Sequence, residues 1–117
     1  ERLRRRILLE AMQEGLVVLD AQQHVLDANE IAGRLLGFDP ESARGRLLQE
    51  CTRSPALNAA VSEAFASGGR GQCDLEPPAA PGLVAELRVA CVGDEGGRPA
   101  GALLLLSDVR LRRQREP

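Results

Sequence analysis

The N-terminal part of the chain changes from a helical to a strand-like pattern of hydrophobic positions. Between residues 3 and 14, apolar side chains recur at helical spacing, which predicts an amphipathic helix that ends at Gly15. Residues 15–20 and 24–28 are short, largely apolar runs, and residues 21–23, Ala-Gln-Gln, form a turn between them. Apolar runs of this length joined by a short turn predict a β-hairpin.

The middle of the chain carries three signals for the start of a helix. Each is a short polar side chain before an apolar run, where it can accept a hydrogen bond from the free N–H groups of a first helical turn. These predicted N-cap residues are Asn29, Asp39 and Ser54. The helices they predict include residues 30–36 and 55–67. Each of these two is followed by a glycine, Gly37 or Gly68, that can end a helix in the left-handed conformation.

Three further strands are predicted in the C-terminal half, over residues 72–76, 83–92 and 99–107. The first alternates between apolar and polar side chains, as does the middle of the second, which is typical of strands with one solvent-exposed face. The strands at 15–20 and 99–107 are apolar on both faces. We therefore expect these two strands to be neighbours at the centre of one antiparallel sheet, with helices on one face.

The other face of the two central strands also needs a cover, because a large exposed apolar patch favours aggregation. Within the chain, the available apolar surface belongs to the predicted N-terminal helix. Its apolar side chains include Leu3, Ile7, Leu8 and Ala11. A second copy of the chain could share the task, so we expect a homodimer in which these residues make the outer-sheet or dimer contacts.

Three segments resemble one known family of sensory domains. Residues 12–20 look like the family's opening strand, and residues 25–29, Val-Leu-Asp-Ala-Asn, look like its most recognisable segment. Residues 101–109 are similar to the Asp-Ile-Thr type ending that joins such domains to their effectors. Together these segments resemble the PAS family over nearly the whole chain. The resemblance implies an α+β fold whose five antiparallel strands have the spatial order 2-1-5-4-3. Short helices would lie on one face, and the N-terminal amphipathic helix on the other.

The resemblance also implies a division of the chain and a function. Residues 1–14 would be a flanking helix, residues 15–108 the PAS core, and residues 109–117 the start of a C-terminal output helix. The chain looks most like the PAS domains of phosphate-regulon-type sensor histidine kinases of bacteria. It would then be a non-catalytic regulatory and dimerisation module of a two-component kinase, relaying a signal to a coiled-coil output. Such a module is a cytoplasmic domain of an inner-membrane protein, held at the membrane by segments outside this chain.

Three residues are expected to take part in the signal relay, namely Asn29, Asp108 and Val109. Asn29 also has a plain structural role as a helix N-cap. Asp108 lies at the joint between the last strand and the output helix. There it could hold an arginine or a backbone donor, or cap the helix. Arg110 occupies the position of the family's threonine.

Two other functions are compatible with the sequence. In the first, the interior binds an apolar or anionic small molecule that is oriented by polar groups such as Thr52, Arg53 and Asn58. In the second, the acidic body of the domain recruits a separate protein, and Glu86 and Arg88 would contribute to that surface. Ligand retention would support the first, and a pull-down that depends on these two residues would support the second.

The charge distribution agrees with a signalling domain more than with a nucleic-acid-binding one. The net charge is −2, and all 15 basic residues are arginines, eight of which lie within residues 2–6 and 110–115. No nucleic-acid-reading motif accompanies them. The basic N-terminus could follow a membrane helix, since cytoplasmic flanks collect arginine and lysine, or it could be a solvated helix face.

Composition also argues against a cofactor, and we expect none. The chain has no Trp or Tyr and two Phe, so few side chains could stack on a flat cofactor. His24 is the single histidine and lies outside the predicted helix that ligates haem in haem-binding relatives. Leu48 occupies the position of the reactive cysteine of flavin-binding relatives. The remaining thiols, Cys51, Cys73 and Cys91, lack metal-ligand spacing and are expected to be small buried hydrophobes.

Overall fold

The structure is a computed structural model and describes residues 2–10 and 13–108 of the chain. The helices in these ranges are α1 (Arg2–Glu10), α2 (Glu30–Leu36), α3 (Pro40–Ala43), α4 (Leu48–Cys51) and α5 (Pro55–Ser67). The strands are β1 (Gly15–Asp20), β2 (Val25–Ala28), β3 (Arg70–Leu75), β4 (Ala85–Gly93) and β5 (Pro99–Asp108).

The helices in the middle of the chain begin and end at the predicted residues. The side chains of Asn29, Asp39 and Ser54 each accept a hydrogen bond from the backbone N–H three residues later, at 3.0, 3.1 and 3.2 Å. Gly37 and Gly68 end α2 and α5 with φ angles of 85° and 67°. These left-handed conformations are readily adopted by glycine, so the predicted helix ends are confirmed.

The strands form one antiparallel sheet with the order β2-β1-β5-β4-β3, as predicted. Strand β1 pairs with β5 over its whole length, from Gly15 opposite Leu106 to Asp20 opposite Gly101. The two strands that are apolar on both faces are therefore the central pair. The helices pack on the inner face of the sheet, whereas the apolar pattern of the outer face calls for a further cover.

The hydrophobic core lies between the sheet and the helices. Helix α2 packs against β1, α3 against β2, and α5 against β3 and β4, so the inner face of the sheet is covered. The largest fully buried apolar side chains of this core include Leu19, Leu36, Leu57, Leu87, Leu104 and Leu106. Leucine, valine and alanine thus fill the space that aromatic side chains occupy in many domains.

Helix α1 (Arg2–Glu10) forms as predicted, but residues 13 and 14 of the predicted helix are not helical. Its side chains Leu3, Ile7 and Leu8 are 68%, 58% and 65% exposed, so they do not cover the outer face of the sheet in the same chain. Ala11, the fourth predicted contact residue, lies outside the described residues. None of the helices in the described ranges is long and apolar enough to cross a membrane.

The remaining differences have local causes. Strand β4 begins at Ala85 instead of residue 83, because a turn with Gly82 at φ 85° precedes it. Strand β3 shifts with it, since Leu75 pairs with Ala85. The sequence does not signal α4, because its N-cap residue is Leu47, which has no polar side chain to mark the start of a helix.

Candidate functional site

Asn29 joins three segments of the chain at one end of the sheet. Its side-chain oxygen accepts hydrogen bonds from the backbone N–H of Leu16 at 2.9 Å and of Ala32 at 3.0 Å. Its side-chain nitrogen donates to the backbone oxygen of Glu14 at 2.8 Å. The residue is 1% exposed. Asn29 is therefore more than the predicted N-cap of α2, because it also fixes the segment before β1, residues 13 and 14, which we call the linker.

The linker before β1 and the end of β5 meet at this same end of the sheet, which we call the linker end. Gly15, the first residue of β1, pairs with Leu106 of β5, and Asp108 follows two residues later. Asp108 itself is half-buried and lies opposite Ala85 of β4. The predicted relay residues Asn29 and Asp108 thus lie at one end of the molecule, while Val109 lies outside the described residues.

A charged network fastens the linker to the outer face of the sheet. Arg88 of β4 lies 3.5 Å from the carboxylate of Glu14 and 3.7 Å from that of Glu86. The side chain of Gln72 on β3 donates a hydrogen bond to Glu86 at 2.9 Å. The Glu86 side chain is 10% exposed and that of Arg88 is 48% exposed. The network therefore links the segment after α1 to strands β4 and β3.

The contribution of this network to stability should be small. We expect Arg88→Gln to lower the free energy of unfolding by about 1 kcal/mol, because its ion pairs are long and half-exposed. In a double-mutant cycle with Glu14→Gln, the coupling energy should be about 0.5 kcal/mol, measured by urea denaturation. A coupling energy near zero would show that the ion pair between Glu14 and Arg88 contributes nothing to stability.

The outer face of the sheet carries an apolar surface that we call the outer stripe. Its side chains come from the three middle strands and are Leu16, Val18, Ala90, Val92, Leu103 and Leu105. Val92 is 59% exposed, and Val18, Leu103 and Leu105 are half-buried. An open groove of about 620 Å³ runs along this face between the arginines Arg70 and Arg88. The outer stripe and the exposed apolar side of α1 are both surfaces that a partner could cover.

The residues proposed for a ligand pocket lie in different environments. The Thr52 hydroxyl donates a hydrogen bond to the backbone oxygen of Leu36 at 2.8 Å and is buried. Arg53 is exposed, and Asn58 is half-buried on α5. Every buried side-chain nitrogen and oxygen in the described ranges has a hydrogen-bond partner. The polar groups of the interior are thus engaged in holding the fold together.

His24 lies at the turn between β1 and β2, where it pairs with Asp20. The Nδ1 atom of His24 is 3.1 Å from Oδ2 of Asp20, and the Asp20 carboxylate also accepts hydrogen bonds from the backbone N–H groups of Gln22 and His24. Burial raises the pKa of Asp20, but these hydrogen bonds outweigh it and lower the pKa overall. The His24 side chain thus closes a turn at the surface.

The three thiols have the character of small core residues. Cys51, Cys73 and Cys91 are half-buried and free, and burial raises the pKa of each. A raised pKa disfavours the reactive thiolate form. Around Cys51, nearby Arg46 lowers the pKa but does not overcome burial. Within residues 2–10 and 13–108, no group of three His, Cys, Asp or Glu side chains could hold a metal ion.

Comparison with protein families gives one match over most of the chain. The family described as PAS fold matches residues 9–114. Among curated protein sequences, none matches the chain. The family match includes the linker end, the outer stripe and the Asn29 segment.

Solved structures share this fold at low sequence identity. A sensory box sensor histidine kinase from Vibrio cholerae is 21% identical with a TM-score of 0.67, covering 92% of this chain and 90% of its own. The photoactive yellow protein domain of the sensor histidine kinase Ppr from Rhodospirillum centenum is 20% identical with a TM-score of 0.67, covering 88% and 92%. VqmA bound to DPO is 19% identical with a TM-score of 0.70, covering 92% of this chain but 58% of VqmA.

Proposed function

This chain belongs to the PAS fold family, and from that premise we propose that it is a regulatory and dimerisation module of a bacterial sensor histidine kinase. In this role it passes a conformational change from α1 to the segment that follows β5. The observation that carries the proposal is the linker end, where the entry and exit of the domain meet on adjacent central strands.

The mechanism proposed is mechanical coupling between β1 and β5. Displacement of α1 acts on the linker, which is held by Asn29 and by the ion pair of Glu14 with Arg88. Strand β1 pairs with β5 along its whole length, so a shift of β1 is carried to Asp108 and the segment after it. Such a relay needs two packings of the domain that differ by a few kcal/mol. Asp108 and Val109 are proposed as the joint.

A homodimer is part of the proposal, because the single chain leaves one apolar surface largely half-buried and a second one exposed. They are the outer stripe and the side of α1 formed by Leu3, Ile7 and Leu8. Contiguous apolar surface of this kind marks interaction sites in soluble proteins. In a two-chain signalling protein, the same contacts would bring the two exit segments side by side.

The finer parts of the proposal concern the parent protein. The resemblance of residues 25–29 and the arginine-rich ends of the chain support a phosphate-regulon-type kinase whose cytoplasmic PAS domain follows an inner-membrane helix. The domain itself is proposed to be non-catalytic and to work without a cofactor. Sequencing the codons that follow Pro117 tests this part, since a phosphoacceptor His-Glu motif is expected there.

A small-molecule receptor is the second function considered. The solved structure of VqmA with bound DPO shows that a protein of this fold binds a small molecule. In this chain, however, the Thr52 hydroxyl donates to a backbone oxygen, so a ligand that took this donor would have to break that bond. Native mass spectrometry of chain purified from its source, together with a thermal-shift screen of metabolites, would detect such a ligand.

Recruitment of a separate protein through Glu86 and Arg88 is the third function considered. These residues already form a network with Glu14 and Gln72 within the chain. A docking partner would therefore compete with contacts that hold the linker. Loss of a pull-down partner on Arg88→Gln, with an unchanged dimer, would favour this function over the relay.

The dimer is tested by replacing Leu3, Ile7 and Leu8 together with glutamine. Because these exposed side chains make little contact within the chain, we expect unchanged stability but at least tenfold weaker self-association by sedimentation equilibrium. Arg34→Gln, on exposed α2 surface, serves as the control and should not change association. Unchanged association in the triple variant would argue against a role for α1 in the dimer.

A further inference from the structure

We infer that the outer stripe pairs with the outer stripe of a second copy about a two-fold axis parallel to the strands. In this arrangement Asp27 of one copy faces Arg70 of the other. The inference rests on the dimer of the proposed function, and it specifies the surface, the orientation and the charges that select them.

The strand register places one charged residue at each edge of a row that is otherwise apolar. Asp27 on β2 pairs with Val18 on β1, and Val18 pairs with Leu103 on β5. Leu103 pairs with Ala90 on β4, and Ala90 pairs with Arg70 on β3. Directly paired residues share one face of a sheet. Along this one row, the outer face therefore reads acidic, apolar, apolar, apolar, basic from one edge to the other.

A row of this kind is complementary to itself when reversed. A two-fold axis parallel to the strands and centred on β5 lays β2 of one copy over β3 of the other, so that Asp27 meets Arg70 twice in each dimer. The same axis places Val18 over Ala90 and Leu103 over Leu103. An axis perpendicular to the strands would instead place Asp27 over Asp27 and Arg70 over Arg70. Like charges across an interface are unfavourable, so the row selects the first axis.

The selected axis also brings both linker ends to the same end of the dimer. Rotation about an axis parallel to the strands leaves positions along the strands unchanged, so Gly15 and Asp108 of the two copies lie at one end. The two α1 helices leave from there, and their exposed Leu3, Ile7 and Leu8 can pack against each other. The perpendicular axis would send the two linker ends in opposite directions. A pair of exit segments side by side is the arrangement that the proposed relay requires.

The size of the surface indicates a weak, concentration-dependent dimer. Five strands spaced by about 4.8 Å give a face about 20 Å wide. A face of about 20 Å in each direction buries roughly 800 Å² in total over the two copies, which is below the roughly 1,200 Å² of standard interfaces. The apolar side of α1 would add to this area. The contacts of Asp27 with Arg70 would then determine the orientation of the two copies more than the strength of their association.

Charge reversal of the two edge residues tests the inference. Asp27→Arg and Arg70→Asp should each weaken the homodimer of the 117-residue chain by about tenfold or more in sedimentation equilibrium, since two attractive pairs become two repulsive ones. Mixing the two variants in equal amounts should restore association, because the charges are complementary only between unlike chains. The double variant, which exchanges the two charges, should also regain the dimer. Arg34→Asp and Glu63→Arg, on the helix side, are the matched controls and should leave association unchanged.

The possible failures separate the inference from the proposed function. Absence of rescue in the mixture overturns the orientation, even if the α1 variants still dissociate the dimer and so support the dimeric function. A dimer that is insensitive to both reversals and to Leu103→Arg shows that the outer stripe is not the interface. A wild-type chain that stays monomeric up to millimolar concentration overturns both. Circular dichroism and urea denaturation of each variant show whether its loss of association reflects unfolding.

Discussion

Replacing Asn29 with alanine is expected to lower the free energy of unfolding by about 3 kcal/mol. Loss of a helix N-cap alone costs about 1 kcal/mol. Here the same side chain also accepts from the N–H of Leu16 and donates to the backbone oxygen of Glu14. Because Asn29 is 1% exposed, water does not readily replace these partners, and each lost bond to a buried group costs about 1 kcal/mol or more.

Urea denaturation of Asn29→Ala and Asp39→Ala provides the comparison. Asp39 caps α3 through the same kind of bond to Ser42 N–H, at 3.1 Å, but at an exposed site. Its replacement should cost about 1 kcal/mol, as for an ordinary cap. Equal losses for the two variants would show that the bonds of Asn29 to the linker contribute nothing to stability.

Hydrogen exchange gives a second and more local readout of the Asn29 variant. The Leu16 amide, which donates to Asn29, should exchange much faster in Asn29→Ala than in the wild type. The amides that join β4 to β5 lie away from Asn29, so their exchange rates should change only as much as the global stability does. Selective loss of protection at Leu16 would show that Asn29 holds the start of β1 in place. The proposed relay depends on that constraint.

The local part of this site was predictable, whereas the long-range part was not. An Asn before an apolar run is a sequence-local signal, so the N-cap of α2 could be predicted from residues 29–36. The bonds from Asn29 to Leu16 and Glu14 span 13 and 15 residues. They depend on the pairing of β1 with β2, which the cap signal does not determine. The available hint of these bonds was that Asn29 is a polar residue at a point where a strand ends and a helix starts.

The sheet shows how far the hydrophobic pattern can carry a prediction. Apolar side chains on both faces of residues 15–20 and 99–107 placed these strands at the centre, and the observed order confirms it. The pattern could not show what covers the second face. Leu3, Ile7 and Leu8 have the spacing of a packed helix but are exposed in the single chain. The same spacing is expected for a helix that packs on its own sheet and for one that packs on a second copy, so the sequence could not distinguish the two.

The ligand-pocket residues illustrate a different limit of sequence reasoning. Thr52, Arg53 and Asn58 are proposed from the sequence as polar groups that would orient a ligand in the interior. In the structure, the Thr52 hydroxyl satisfies the backbone oxygen of Leu36, near the C-terminus of α2, where helix carbonyls lack intrahelical partners. The identity of that carbonyl depends on how α2 packs beside α4. The sequence therefore identifies Thr52 as a polar residue but cannot assign its hydrogen-bond partner.

Replacing Gly101 with alanine should destabilise the domain by about 2 to 3 kcal/mol, as overpacking of a tight contact does. Gly101 lies on β5 opposite Asp20, and a Cβ atom there would be 2.6 Å from the backbone oxygen of Leu19. That oxygen belongs to the neighbouring central strand, so relief requires β1 and β5 to move apart. Gly71→Ala on β3 is the matched control, because its Cβ would have no neighbour closer than 3.8 Å.

The control substitution should have the opposite sign. Glycine in a strand costs conformational entropy, so Gly71→Ala is expected to raise the free energy of unfolding by up to about 1 kcal/mol. Urea denaturation of both variants measures the difference. If Gly101→Ala is as stable as Gly71→Ala, the β1–β5 spacing is adjustable at that position, and a rigid transfer of motion from β1 to the end of β5 is ruled out. A large loss for Gly101→Ala alone would instead show that the spacing of the two central strands is fixed at this position, which is a condition of the proposed relay.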